Sequence, residues 1–237
     1  MAENHPDDGD LLFGVSSIAG YALLRVCRGR FRAFRSPHSR QPRLRNLPEF
    51  RLESARSIRE TLGQAHPEIL VYTHAVCDVP KCEENPAWAH EVNVAQVSRL
   101  LDELPQSCRF VYLSSDHVFR GDGAYREDDP VSPISVYGRT RVEAERVVLA
   151  RGNALVLRVG LPLGASPDGR TGHVDWLRYR SHSGLPITLV ADESRSIWVV
   201  DDELPRPVSL TAEDLCGCTL SHSPIWEVHR PRPVNQG

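Results

Sequence analysis

Lysine is almost missing from this chain. Lys81 is the only one among 28 lysine and arginine residues. Arginine is therefore what this sequence uses for positive charge, and a Lys-to-Arg exchange at any one position is weak evidence of lost function. Long apolar runs are missing too: none approaches the ~18 residues that span a bilayer, which excludes a membrane-crossing helix. The opening "MAENHPDDGD" is acidic and polar, the wrong chemistry for a secretory leader. An excess of either charge is missing as well: 28 basic residues stand against 31 acidic ones. A net charge of -3 gives no general pull toward nucleic acid or acidic membranes. There is no G-x-S-x-G elbow, no Walker-type lysine loop and no internal repeat. The six cysteines lack metal-site spacing: Cys216 and Cys218 near His222 fall short of a full ligand set, and "CDVPKC" has no second pair. A chain of 237 residues needs no staples, so reduced thiols in a cytoplasm are expected.

What is present is alternation. "DLLFGV", "RFRAF", "EILVYT", "CRFVYLSS" and "ALVLRV" read as short buried strands. Between them, 18–29, 53–66, 86–105 and about 135–151 read as helices. Continuous apolar strands alternating with helices predict an α/β fold with a parallel sheet covered on both faces. Ligands then bind beyond the carboxyl ends of the strands. After about residue 160 the pattern loosens. "VDWLRYRSHSG" is a candidate helix and "LPITLV" a candidate strand. The last thirty or so residues are proline-rich and weakly periodic, with partial order at best expected. Tyr112, Trp176 and Trp198 read as core or pocket wall, not as nucleic-acid platforms.

Four places can carry chemistry. The first strand runs into "GVSSIAG", where Gly14, Ser17 and Gly20 have G-x-x-G-x-x-G spacing with serine in the middle. This is either a nucleotide loop or a plain strand–helix turn. Arg35, with Arg40 close behind, ends the second strand. Arginine there suits a ribose 2′-phosphate, and the alternative is a solvated basic loop. Ser114, Ser115 and Asp116 end the fourth strand, where a serine hydroxyl can bond a substrate carbonyl or its own loop. Tyr137 and Arg141 stand one helical turn apart. A cation so placed favours the phenolate and lowers the tyrosine pKa.

Together these pieces resemble the extended short-chain dehydrogenase/reductase superfamily, and within it the dTDP-4-dehydrorhamnose reductase group. The carrying stretches are "CDVPKCEENPAWAHEVNV" (77–94), "VYLSSDHVFRGDGAYREDDPVSPISVYGRTRVEAE" (111–145), "ALVLRVGLPLG" (154–164) and "DESRSIWVVDD" (192–202). The resemblance implies a Rossmann-type doubly wound domain over residues 1–160, a small, shortened substrate lobe over 161–205, and an irregular tail, 206–237. It implies NADPH or NADH as cofactor, with NADPH favoured slightly through Arg35. Ser115 falls at the catalytic Ser/Thr, Tyr137 at the proton donor, and Arg141 in place of the lysine. Gly14, Ser17, Ile18, Gly20, Arg35, His74 and Asn93 fall along the cofactor, with Tyr137 and Arg141. Asp116, His117 and Arg195 fall beside a nucleotide-sugar substrate. Reduction of a 4-keto sugar nucleotide is the activity implied, in a cytoplasmic protein without membrane or nucleic-acid partners, for which a homodimer is allowed. Against it stand Ser17, "RLES" (51–54) without the adenine aspartate, and the bulk of His74. The shortened lobe, His74 and Ser17 favour the rival expectation, a catalytically degenerate partner subunit like the methionine adenosyltransferase beta subunit. An epimerase or dehydratase holding NAD tightly is a third.

Overall fold

The computed structural model describes residues 9–63, 65–121, 123–170, 172–188, 196–200 and 226–228. Five parallel strands form the centre of its sheet: β1 Asp10–Phe13, β2 Phe31–Phe34, β3 Ile69–Tyr72, β4 Arg109–Ser115 and β5 Ala154–Val159. Their spatial order is β2-β1-β3-β4-β5. The order reverses at β1, so a crevice opens between the carboxyl ends of β1 and β3. These strands are apolar on both faces because helices cover both. Phe13, Tyr72, Phe110 and Tyr112 point into a core shared with helices α2 (Ala55–Leu62), α5 (Gln96–Glu103) and α6 (Val136–Ala150). Leu12, Val71 and Val111 point the other way, toward Tyr21, Leu23 and Leu24 of α1 (Ile18–Val26).

Local chemistry sets most helix ends. Ser17 caps α1 by accepting from the Gly20 N–H. Ser54 and Ser57 make a reciprocal capping box on α2, which stops at Gly63 with φ 60. Its last residue, Leu62, is four short of the expected end at 66. The expected single helix over 86–105 is a composite. It starts as α4, Pro86–His90, capped by Asn85. It passes through a π-helical turn over Glu91–Ala95 and continues as α5. A short helix, α3 (Val79–Glu84), precedes it and was not foreseen: six residues around Pro80 are too few to show a period.

Beyond β5, strands β6 (Leu161–Leu163) and β7 (Ile197–Val199) pair in parallel as a second, two-stranded sheet. The candidate helix in "VDWLRYRSHSG" is α7, His173–His182. In "LPITLV", residues 185–188 carry no strand, and 189–190 lie outside the described residues. Within the weakly periodic tail, β8 (Trp226–Val228) pairs antiparallel with β5 and makes a sixth strand of the main sheet.

Candidate functional site

The carboxyl edge of β1, β3 and β4 gathers the predicted residues. Gly14 turns the chain out of β1 with φ +97, and a Cβ there would meet the His74 backbone nitrogen at 2.5 Å. A Cβ on Gly20 would meet the Gly14 carbonyl oxygen at 2.4 Å, so α1 can approach β1 only through this glycine. Thr73, which sequence reasoning missed, knits the turn together. Its hydroxyl lies 2.9 Å from the Gly14 carbonyl oxygen and 3.1 Å from Ser17 Oγ. Ser17 thus fills the place of the middle glycine as a cap. The first N–H groups of α1, on Ile18 and Ala19, have no carbonyl partner inside the helix, and an anion suits them. Ile18 itself packs against backbone: a Cβ on Gly172 would meet its Cδ1 at 2.5 Å.

Arg35 is already engaged. Its guanidinium pairs with Glu49 at 2.6 Å and donates to the Leu47 and Ser39 carbonyls. Arg40 is exposed. The 2′-phosphate selectivity expected of Arg35 would have to compete with Glu49. His74 packs edge-on to Phe50 at 5.1 Å and faces Tyr72 at 6.2 Å. Burial, with Arg141 and His38 adding to it, lowers its pKa to about 4, so it is neutral.

Asn93 lies in the π-helical turn, 1% exposed. It accepts from the Val76 N–H at 2.9 Å and donates to the Val76 carbonyl at 3.1 Å and to Thr140 Oγ1 at 3.0 Å. One amide thereby ties the segment after β3 to α6. It holds protein to protein.

Ser115 and Tyr137 come together. Ser115 Oγ accepts from the His117 N–H at 3.3 Å and donates to Asp116 at 3.1 Å, and it is near enough to the Tyr137 hydroxyl to favour the phenolate. The His117 ring stands edge-on to Tyr137 at 5.1 Å. The close seat of α6 depends on Gly138, where a Cβ would meet the His117 carbonyl oxygen at 2.3 Å. Arg141 lies one turn on, 2% exposed, and donates through Nη2 to the Leu113 carbonyl. Its head stacks over the Tyr112 ring at 4.6 Å and stands 5.9 Å from the Tyr137 ring. Its Nε and Nη1 are buried without partners. Arg141 does lower the tyrosine pKa, as its position predicts, but the net shift is upward. Burial raises the Tyr137 pKa by more than Arg141 and Ser115 lower it. The phenol stays protonated at neutral pH, which suits a donor and not a base.

Two further residues brace this edge. Glu145 accepts from Ser114 at 2.5 Å and pairs with Arg158 at 2.8 Å, both partners of the ion pair buried. Arg158 also reaches the Glu127 carbonyl. Ser114 is therefore a brace and Ser115 the site-facing hydroxyl. The position of Glu145, i+4 from Arg141, was the available sequence signal. Arg195, and the Cys216, Cys218 and His222 group, lie outside the described residues. Among the described residues no three His, Cys, Asp or Glu side chains gather as a metal site, and no helix is long and apolar enough to cross a membrane.

Five parallel strands in the order β2-β1-β3-β4-β5, covered by helices on both faces, define a Rossmann-type fold. The chain belongs to the family described as RmlD substrate binding domain, whose model matches residues 11–209. It is 30% identical over 175 residues to dTDP-4-dehydrorhamnose reductase of Sinorhizobium fredii, covering 71% of this chain and 53% of the relative. It is 30% identical over 154 residues to methionine adenosyltransferase 2 subunit beta of Xenopus tropicalis, covering 63% and 45%. A crystal structure of dTDP-4-dehydrorhamnose reductase from Bacillus anthracis in complex with NADP shares the fold, with a TM-score of 0.65 at 18% identity, covering 84% of this chain and 68% of that one. The chain spans about half the length of these two curated relatives, and 62% and 63% of two others.

Proposed function

We propose that the chain is an NAD(P)H-dependent reductase of a 4-keto sugar nucleotide, with Tyr137 as proton donor. The observation that carries this reading is the Ser115–Tyr137 pair at the end of β4, one helical turn from a buried guanidinium with two unpartnered donors. A buried donor without a partner is costly, of order ~1–3 kcal/mol, and a ligand hydroxyl beside Arg141 relieves it. The residues present fit a dinucleotide on this ground, together with the head of α1. Gly14, Ser17 and the first turn of α1 would hold the pyrophosphate, and Arg141 would meet the nicotinamide ribose. When bound, the reduced nicotinamide supplies the hydride.

The chain's own residues supply the rest. Ser115 would orient the substrate carbonyl by hydrogen-bonding its oxygen. Tyr137, kept protonated by burial, would give that oxygen its proton. Arg141 would stabilise the phenolate that remains. It cannot itself release a proton, since its pKa exceeds ~12, so the proton returns through water. The exposed Arg40 is free to meet a 2′-phosphate and Arg35 is held by Glu49, so the reading admits both NADPH and NADH. The lobe beyond residue 160, with β6, β7 and α7, would face the sugar nucleotide, and Asp116 and His117 would line its approach.

The test is absorbance loss from NADPH with a dTDP-4-keto-6-deoxy sugar. Turnover that falls by about 10²–10⁴ in Tyr137→Phe supports the reading. Equal rates in the two proteins overturn it.

A second reading has its own support. The guanidinium stacks on Tyr112, and His74 crowds the end of β3. A dinucleotide-binding partner subunit needs no proton relay, and the similarity to the Xenopus beta subunit points the same way. Calorimetry showing NADPH bound without turnover favours it.

A further inference from the structure

Cys77 and Cys82 occupy two special positions around α3. The N-cap of this helix is Asp78, whose side chain accepts from the Lys81 N–H. Cys77 is then the residue just outside the cap, and Cys82 is the fourth inside it. Those two positions meet in a capped helix start, where an apolar pair usually forms the hydrophobic staple. Here both members are thiols. Cys82 Sγ lies 3.9 Å from the Val76 carbonyl oxygen. That oxygen lies about 3 Å from the Cys77 Cα by peptide geometry. Cys77 also stands near enough to Cys82 to act on its thiol electrostatically.

The two thiols differ in access. Cys82 is fully buried, in a cluster with Ala89, Val136 and Tyr137. By surface area Cys77 is exposed, although neighbouring atoms crowd its sulphur and raise its pKa. Area decides whether a reagent can reach it. Burial raises the pKa of both thiols, and at Cys77 the Arg141 guanidinium offsets part of that rise. The same helix is tied to the start of α6, since Glu83 accepts from the Val136 N–H at 2.6 Å.

We propose that Cys77 and Cys82 are a redox-closable thiol staple, which a low-molecular-weight disulfide oxidises to an intramolecular bond beside Tyr137. The Cys77 thiolate attacks oxidised glutathione, forming a mixed disulfide and releasing one glutathione thiolate. The Cys82 thiolate then attacks the Cys77 sulphur, forming the protein disulfide and releasing the second. Two protein thiols are oxidised, one glutathione disulfide is reduced, and the two protons go to the two glutathione thiolates. Closure brings the two sulphurs to about 2.05 Å of each other at the start of α3. It stands whether or not the chain is a reductase.

The sequence supplies its own assay. Lys81 is the only lysine and lies between the two cysteines, so a lysine-specific protease cuts the chain once, into 1–81 and 82–237. The full chain is incubated with oxidised glutathione, blocked with N-ethylmaleimide, denatured and digested, then run without reductant. The expected result is two fragments that stay joined until dithiothreitol separates them. The joined band is lost in Cys77→Ser and in Cys82→Ala, the latter keeping the apolar packing at a buried site. Fragments that separate without reductant, or carry only glutathione on Cys77, overturn the proposal. So does a joined band that persists in either variant, because another cysteine is then the partner.

Discussion

At the scale of single residues, the proposed chemistry of this edge turns on Arg141. A lysine in its place is shorter and cannot keep both the Leu113 carbonyl and the Tyr112 face, but unlike a guanidinium it can release a proton. On the reductase reading, Arg141→Lys is therefore expected to raise turnover by about tenfold, ~1.4 kcal/mol in the barrier, read from kcat with KM followed separately. His74 makes a second prediction. Its folded pKa of about 4 lies below the unfolded value near ~6.5. Above that value both states are neutral and stability is full. Below it the unfolded chain takes the proton first, so stability falls as pH drops toward 4. Urea midpoints are expected to lose about 2 kcal/mol between pH 7 and pH 5, and His74→Gln to flatten that slope. The Tyr137–Arg141 spacing was legible because a helix puts residues four apart on one face. The inward turn of the guanidinium was not, since it depends on Tyr112 and the Leu113 carbonyl, which pattern alone does not place.

At the scale of elements, α6 and the two strands beside it are held by one ion pair. Removing the Glu145 side chain leaves Arg158 buried and unpaired. Glu145→Ala is expected to cost about 3–5 kcal/mol in chemical denaturation. Glu145→Gln with Arg158→Met, which removes both charges, is expected to recover a large part of it. Tight seats behave alike: Gly138→Ala pushes α6 off the His117 carbonyl and should lower stability and turnover together. Strands and long helices were legible here because their periods differ. The brace was not, because Glu145 and Arg158 read singly as ordinary polar positions on a helix and a strand.

At the scale of the whole molecule, the apolar strands announced a covered parallel sheet, and the order β2-β1-β3-β4-β5 follows that expectation. The edge strand β8 did not show, because "WEV" is three residues in a weakly periodic stretch. Ligand linkage tests the whole assembly. NADPH at 100 times its Kd is expected to add about 2.7 kcal/mol to unfolding, seen as a raised Tm. Glu49→Gln should release Arg35 and shift the preference from NADH toward NADPH. One last consequence belongs to the π-helical turn at Glu91–Ala95. Ahead of it Ala89 serves the small cluster around Tyr137; behind it Val97 and Leu100 serve the main core. The surplus residue rotates the helix by about 100°, so a single rod feeds two interiors that are out of phase. Swapping side chains along this rod is survivable at many positions. Dropping one residue from it is not, because every apolar group downstream would swing away from the interior it was made to fill.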